Sequence, residues 1–110
     1  MDNEEREIRA ARNESLFRGL NETLERVHAG GPSDETAEYF CECAQRGCAS
    51  LIPLSPEEYE HVRAGSDRFL VLTGHIEPDI ERVLEDHGTY WIVEKLGIGS
   101  FVADALDPRS

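Results

Sequence analysis

Three cysteines fall within eight residues, Cys41, Cys43 and Cys48, in the pattern Cys-x-Cys-x4-Cys, and the 110-residue chain has no others. An odd, tightly clustered number does not suit a disulfide framework, whose partners come in pairs. It suits a metal ion. Thiolates bind zinc at about 2.3 Å and imidazole nitrogens at about 2.0–2.1 Å, and structural sites close as tetrahedra. Gly47, just before the last cysteine, lets the CAQRGC segment turn tightly. A chain of this size buries a modest core, which a metal commonly supplements. The competing reading makes the cysteines small core residues, with Cys41 and Cys43 on one face of a strand.

The fourth donor follows from the order of elements. Residues 37–42 (AEYFCE) suit a strand, and 50–54 (SLIPL) its returning partner, with Pro53 marking an edge. Ser55-Pro56-Glu57-Glu58 is a helix start: Ser55 caps, Pro56 takes the first position, and Glu58 closes a capping box. That helix runs to about Ala64, where Gly65 stops it. Residues 68–73 (RFLVLT) follow as a third strand. If it lies parallel to strand 37–42, its end meets the cysteines, and His75 arrives there after Gly74. Residues 78–86 (PDIERVLED), with Ile80, Val83 and Leu84 on one face, predict a short helix of roughly 13 Å. Such a helix carries His87 to the far end. His61 sits mid-helix facing solvent, and His28 ends the first helix. The expected ligand set is Cys41, Cys43, Cys48 and His75 around one zinc ion, with Glu42 or a water as alternatives to the histidine. Residues 89–95 (TYWIVEK) predict a fourth strand, with one of Tyr90 and Trp91 buried and the other half-exposed. Gly97-Ile98-Gly99-Ser100 reads as a turn. Phe101, Val102, Ala105 and Leu106 stand at helical spacing, and the last residues are expected to fray.

Residues 3–28 predict one long helix. Asp2 or Asn3 caps it, and Glu4, Glu5 and Glu7 occupy the turns where the helix dipole favours acid. Glu5–Arg9, Glu14–Arg18 and Glu22–Arg26 are i,i+4 pairs. Ala10, Asn13, Phe17, Leu20, Leu24 and Val27 follow a 3-4-3-4-3 seam, widened by Ile8 and Leu16. That seam either packs on the rest of the chain or pairs with another helix, including that of a second copy. Gly30-Gly31-Pro32 ends the helix.

The expected fold class is therefore α+β: a long N-terminal helix, then a small zinc-pinned mixed β-sheet with two or three short helices. The expected organisation is an amphipathic helix over 1–29, a hinge over 30–36, a zinc-binding α+β domain over 37–107 and a tail over 108–110.

The net charge of −12 repels phosphate backbones and argues against direct nucleic-acid binding. Arg46 inside the knuckle cannot offset it. A basic protein partner is attracted instead. No apolar run reaches membrane-span length, and the charged N-terminus lacks an apolar signal region, so a cytoplasmic protein is expected. The H-E-x-x-H and P-loop patterns are absent. A site rich in thiolates is a poor Lewis acid, so no catalysis is expected.

The segments ARNESLFRGLNE, CECAQRGC, EEYEHVRAG, RFLVLTGH and YWIVEK together resemble small bacterial proteins of actinobacterial type, which carry a Cys-x-Cys-x4-Cys cluster and a downstream Gly-His. The resemblance covers most of the chain. It implies that Cys41, Cys43, Cys48 and His75 act as a unit, and implies no activity. The functional expectation is a non-enzymatic regulatory or adaptor module that engages a protein partner, such as a component of the transcription machinery, with zinc as a structural element. A redox- or zinc-responsive thiol switch is the alternative, and a small metalloenzyme a third.

Overall fold

A computed structural model describes residues 3–28, 36–45 and 47–109. The Asp2 cap, Arg46 and nearly all of the expected hinge lie outside them. In chain order the elements are α1 (Asn3–His28), β1 (Ala37–Phe40), β2 (Leu51–Leu54), α2 (Pro56–Val62), β3 (Arg68–Leu72), β4 (Glu81–Asp86), β5 (Tyr90–Lys95) and α3 (Ile98–Ala105).

The α+β class is as expected, but the strands form two antiparallel sheets instead of one mixed sheet. One holds β1 and β2; the other has the order β3-β5-β4. Tyr39 of β1 lies opposite Ile52 of β2, and Leu70 of β3 opposite Ile92 of β5. Buried side chains of both sheets and of α2 merge into one core, where Tyr39 and Tyr59 stack with ring centroids 4.5 Å apart. The N-terminus of α2 is built as its sequence predicts. The Ser55 hydroxyl accepts from Glu58 N–H at 3.1 Å, and the Glu58 carboxylate accepts from Ser55 N–H at 2.8 Å. Tyr90 is buried and Trp91 half-buried.

Residues 78–86 do not form a helix. A single turn follows Glu77, whose carbonyl accepts from both Ile80 and Glu81 N–H at 3.0 Å. The chain then enters β4 and pairs with β5. A helix of that length is marginal by itself, whereas the β5 edge satisfies its backbone groups at once. A register shift between Val83 and Glu85 breaks the alternation by which a strand is recognised. Gly97–Ser100 likewise is not an isolated turn: Gly97, at φ +60°, precedes α3, which starts at Ile98. Nor does the tail fray as far as Arg109, whose guanidinium bonds to Glu22 and Glu60.

Helix α1 packs with a mixed face inward: Ala10 and Ala11 are buried, and Leu24 packs against the core. Glu14, Arg18, Asn21 and Glu25 are buried, while Leu16, Leu20 and Val27 are 69%, 50% and 71% exposed. The intrahelical pairs expected for Glu14, Arg18 and Glu22 give way to tertiary partners. Lys95 Nζ lies 2.7 Å from Glu14 Oε1 and 3.2 Å from Glu81 Oε2. Arg18 donates to the carbonyls of Ser66 and Ala103 and lies 4.6 Å from the centre of the Phe69 ring. Arg63 Nε donates to Glu22 Oε1 at 2.8 Å, and its Nη2 pairs with Asp107. The arginines at such depth are held by these partners, whereas burial and then the neighbouring Glu81 push the Glu14 carboxyl well above its usual range.

Candidate metal centre

Strand β1 ends at Phe40, and the knuckle begins with Cys41, whose N–H donates to the Ser50 carbonyl at 2.8 Å. The hairpin is thus still paired where the first candidate ligand leaves it. The turn closes with Cys48 N–H donating to the Gln45 carbonyl at 3.2 Å, and Gly47 takes φ +79°, a region costly for other residues. From the other side, β3 ends at Leu72, and Gly74 at φ +90° turns the chain so that His75 N–H reaches the Leu72 carbonyl at 2.9 Å.

These two turns bring Cys41, Cys43, Cys48 and His75 together. One ligand atom from each lies within 4.8 Å of all the others, a group that can hold a metal ion. His75 Nδ1 stands 3.7 Å from Cys41 Sγ, 3.7 Å from Cys43 Sγ and 3.6 Å from Cys48 Sγ. A tetrahedral ion with sulfur at about 2.3 Å and nitrogen at about 2.0–2.1 Å requires nitrogen–sulfur edges of roughly 3.6 Å. The three separations from the histidine nitrogen lie close to those edges. Two of the thiols are buried and Cys48 is half-buried.

The Cys41 and Cys43 thiols interact, with opposite effects on the two groups. A hydrogen bond with the Cys43 thiol, and then Leu72 N–H, hold the Cys41 thiol below its usual range against the cost of burial. The same hydrogen bond and burial push Cys43 up. Leu72 N–H donates to Cys41 Sγ at 3.2 Å, an interaction that strengthens as the sulfur becomes a thiolate.

Strand β3 does not pair with β1 as a parallel ladder. The knuckle is stitched to it by Glu42, which faces away from the cysteines. Glu42 N–H donates to the Leu70 carbonyl at 2.6 Å, and Leu70 N–H donates to Glu42 Oε1 at 2.9 Å. Glu42 Oε2 accepts from Asn21 Nδ2 at 2.7 Å and from the Tyr59 hydroxyl at 2.9 Å. Burial raises the Glu42 pKa, opposed by the hydrogen bonds from Asn21, Leu70 and Tyr59. Glu42 is therefore a brace and not the fourth donor. Asn21 also grips the end of β1, accepting from Phe40 N–H and donating to its carbonyl, both at 2.8 Å. Sequence reasoning missed Asn21 and Tyr59 as partners of Glu42. Its alternation with the cysteines was the available signal: if Cys41 and Cys43 face the ion, Glu42 faces elsewhere.

The other histidines lie apart from the cluster. His28 meets Tyr39 edge-on, 6.0 Å between ring centres. His61 and His87 both reach Glu85, at 2.7 and 2.8 Å. His87 stands in the hairpin turn after β4, stacked on Tyr90. The expected placement at the far end does not hold: Thr73 donates to the carbonyls of Gly88 and Thr89, so this turn lies beside the end of β3 from which His75 emerges, yet His87 is engaged by Glu85 and is not part of the Cys41, Cys43, Cys48 and His75 group.

No protein-family model, curated protein or solved structure matches the chain. Among the described residues, no helix is long and apolar enough to cross a membrane.

Proposed function

We propose that this protein is a non-enzymatic zinc-binding module of regulatory or adaptor type, in which Cys41, Cys43, Cys48 and His75 hold one structural zinc ion. The observation that carries this reading is the set of nitrogen–sulfur edges, 3.6–3.7 Å, from His75 Nδ1 to all three thiols. Those edges match a single four-coordinate ion. Four protein donors leave no open position for a water or substrate, which separates structural from catalytic zinc. Three thiolates and one imidazole are also the donor set that favours zinc over the hard, oxygen-seeking cations. The ion fastens the β1–β2 hairpin to the end of β3. The net charge of −12 then favours a basic protein as the partner of the pinned domain.

Metal analysis of protein purified under reducing conditions tests the site, together with the absorption spectrum of the cobalt-substituted form. The expected result is one equivalent of zinc and a tetrahedral cobalt spectrum, changed in band position by His75→Ala. Protein that neither retains nor takes up a metal overturns the reading.

A further inference from the structure

The outward side of α1 points to a second copy of this chain. At 3.6 residues per turn, each residue advances about 100° around the helix. Glu5, Arg9, Arg12, Leu16, Leu20, Thr23 and Val27 therefore form one row, and all seven are exposed. The row lies opposite Glu14, Arg18, Asn21 and Glu25, whose buried contacts fix the rotation of the helix. The apolar side chains of the row cannot turn inward without breaking those contacts.

Charge selects the occupant. A protein of net charge −12 repels its own copies over most of its surface. Between Arg9 and Val27, however, every exposed residue of α1 is neutral or an arginine; Glu14 and Glu25 are buried, and Glu22 is half-buried against Arg63 and Arg109. This stretch is where two copies can approach without opposing carboxylates. The row is also symmetric about Leu16, with members four, seven and eleven positions away on each side. An antiparallel pair centred there sets Leu16 against its own copy, Arg12 against Leu20, and Glu5 beside Arg26 at both ends. A parallel pair would set Glu5 against Glu5. Antiparallel helix dipoles add to the preference, and the arrangement is isologous, as a two-fold dimer requires.

Shape supports the same centre. A hollow of about 420 Å³ is lined by Arg12, Ser15, Leu16 and Leu106, and Leu106 is itself 47% exposed. It lies beside Leu16, where the Leu20 of a second copy arrives. A second hollow, of about 390 Å³, lies on the knuckle side between Leu16 and Cys43.

We propose that this protein forms a two-fold dimer through antiparallel α1 helices centred on Leu16. The inference goes beyond the zinc module and does not depend on the metal.

The test is the mass of the full-length, metal-loaded protein by sedimentation from low to high micromolar concentration, with metal content and helical circular dichroism read on the same samples. The expected species has twice the 12.4 kDa chain mass. Leu16→Glu should give monomer with unchanged metal and helicity, because that side chain is 69% exposed in the single chain. Glu5→Arg and Arg26→Glu should each weaken the dimer roughly tenfold, on the scale of two surface ion pairs, and the double variant should restore it. A monomer at every concentration overturns the proposal, as does a dimer indifferent to Leu16→Glu. A charge swap that fails to restore association overturns the antiparallel register. Neither failure touches the zinc site, which the metal measurement reports separately.

Discussion

The knuckle and α1 are fastened to the same body by opposite means. The knuckle converges four donors on one point, so that a single ion can hold three segments of chain. Helix α1 is held over its length by separate polar contacts: Glu14 to Lys95, Arg18 to two carbonyls and a ring, Asn21 to Phe40 and Glu42, and Glu25 to the Tyr39 hydroxyl at 3.1 Å. A point attachment fails all at once when its centre is lost. A distributed one weakens contact by contact, and each contact carries its own desolvation cost. The two meet at Glu42, which braces the knuckle against Asn21.

The largest effect expected from breaking this contrast is at the point attachment. Cys43→Ser should abolish stoichiometric metal binding and cost several kcal/mol of stability, against the roughly 10–16 kcal/mol that structural zinc binding contributes in small domains. Hydrogen exchange should show the amides of Leu72 and Cys48 losing protection first. If α1 amides near Arg18 lose protection equally, the two attachments are a single cooperative one.

An intermediate effect is expected where the two systems touch. Asn21→Leu removes both bonds to Phe40 and one to Glu42, and should cost about 2–3 kcal/mol with metal stoichiometry unchanged. Urea unfolding of the zinc-saturated protein measures it. A loss below about 0.5 kcal/mol would place the anchorage of α1 elsewhere along the helix.

The smallest effect separates the two by pH. Burial, and then a hydrogen bond shared with Glu60, raise the Glu25 carboxyl from 4.5 to about 7. A group with a raised folded pKa contributes stability that is fully present below its unfolded pKa and lost as pH rises through the folded one. Between pH 4.5 and 7 the parent should therefore lose stability relative to Glu25→Gln, which stays neutral, by on the order of 1–3 kcal/mol. Paired melts at several pH values give the difference and cancel the pH response of the metal site. Parallel curves would mean that Glu25 is ionised in the folded protein.

The same contrast explains what could be read from the sequence. The metal corner was legible because its residue types are scarce and chemically committed: three cysteines within eight residues, and a histidine after a strand and a glycine. The α2 cap was legible because Ser55, Pro56 and Glu58 act locally. Helix α1 was legible as a helix but only partly in its orientation. Of the predicted seam, Ala10, Phe17 and Leu24 turn to the body while Asn13, Leu20 and Val27 are exposed, because the body also presents Lys95, the carbonyls of Ser66 and Ala103, and the Phe40 backbone, all of which demand polar partners. Those demands arise from tertiary placement and leave no local mark. Strand β4 was hidden by its bulge and by the single turn at Pro78, both of which imitate a short helix.

The outer edge of β3 has a consequence for the life of the chain. Leu70 and Leu72 present their amides to a carboxylate and a sulfur instead of to another strand. Bare strand edges recruit other strands, and proteins ordinarily blunt them with charge, bulges or a covering segment. Here the cover is the knuckle itself. Were the knuckle to open, the apolar run Phe-Leu-Val-Leu would lie bare at the side of the sheet, so the turn that gathers the four candidate ligands also shields an edge that could recruit other strands.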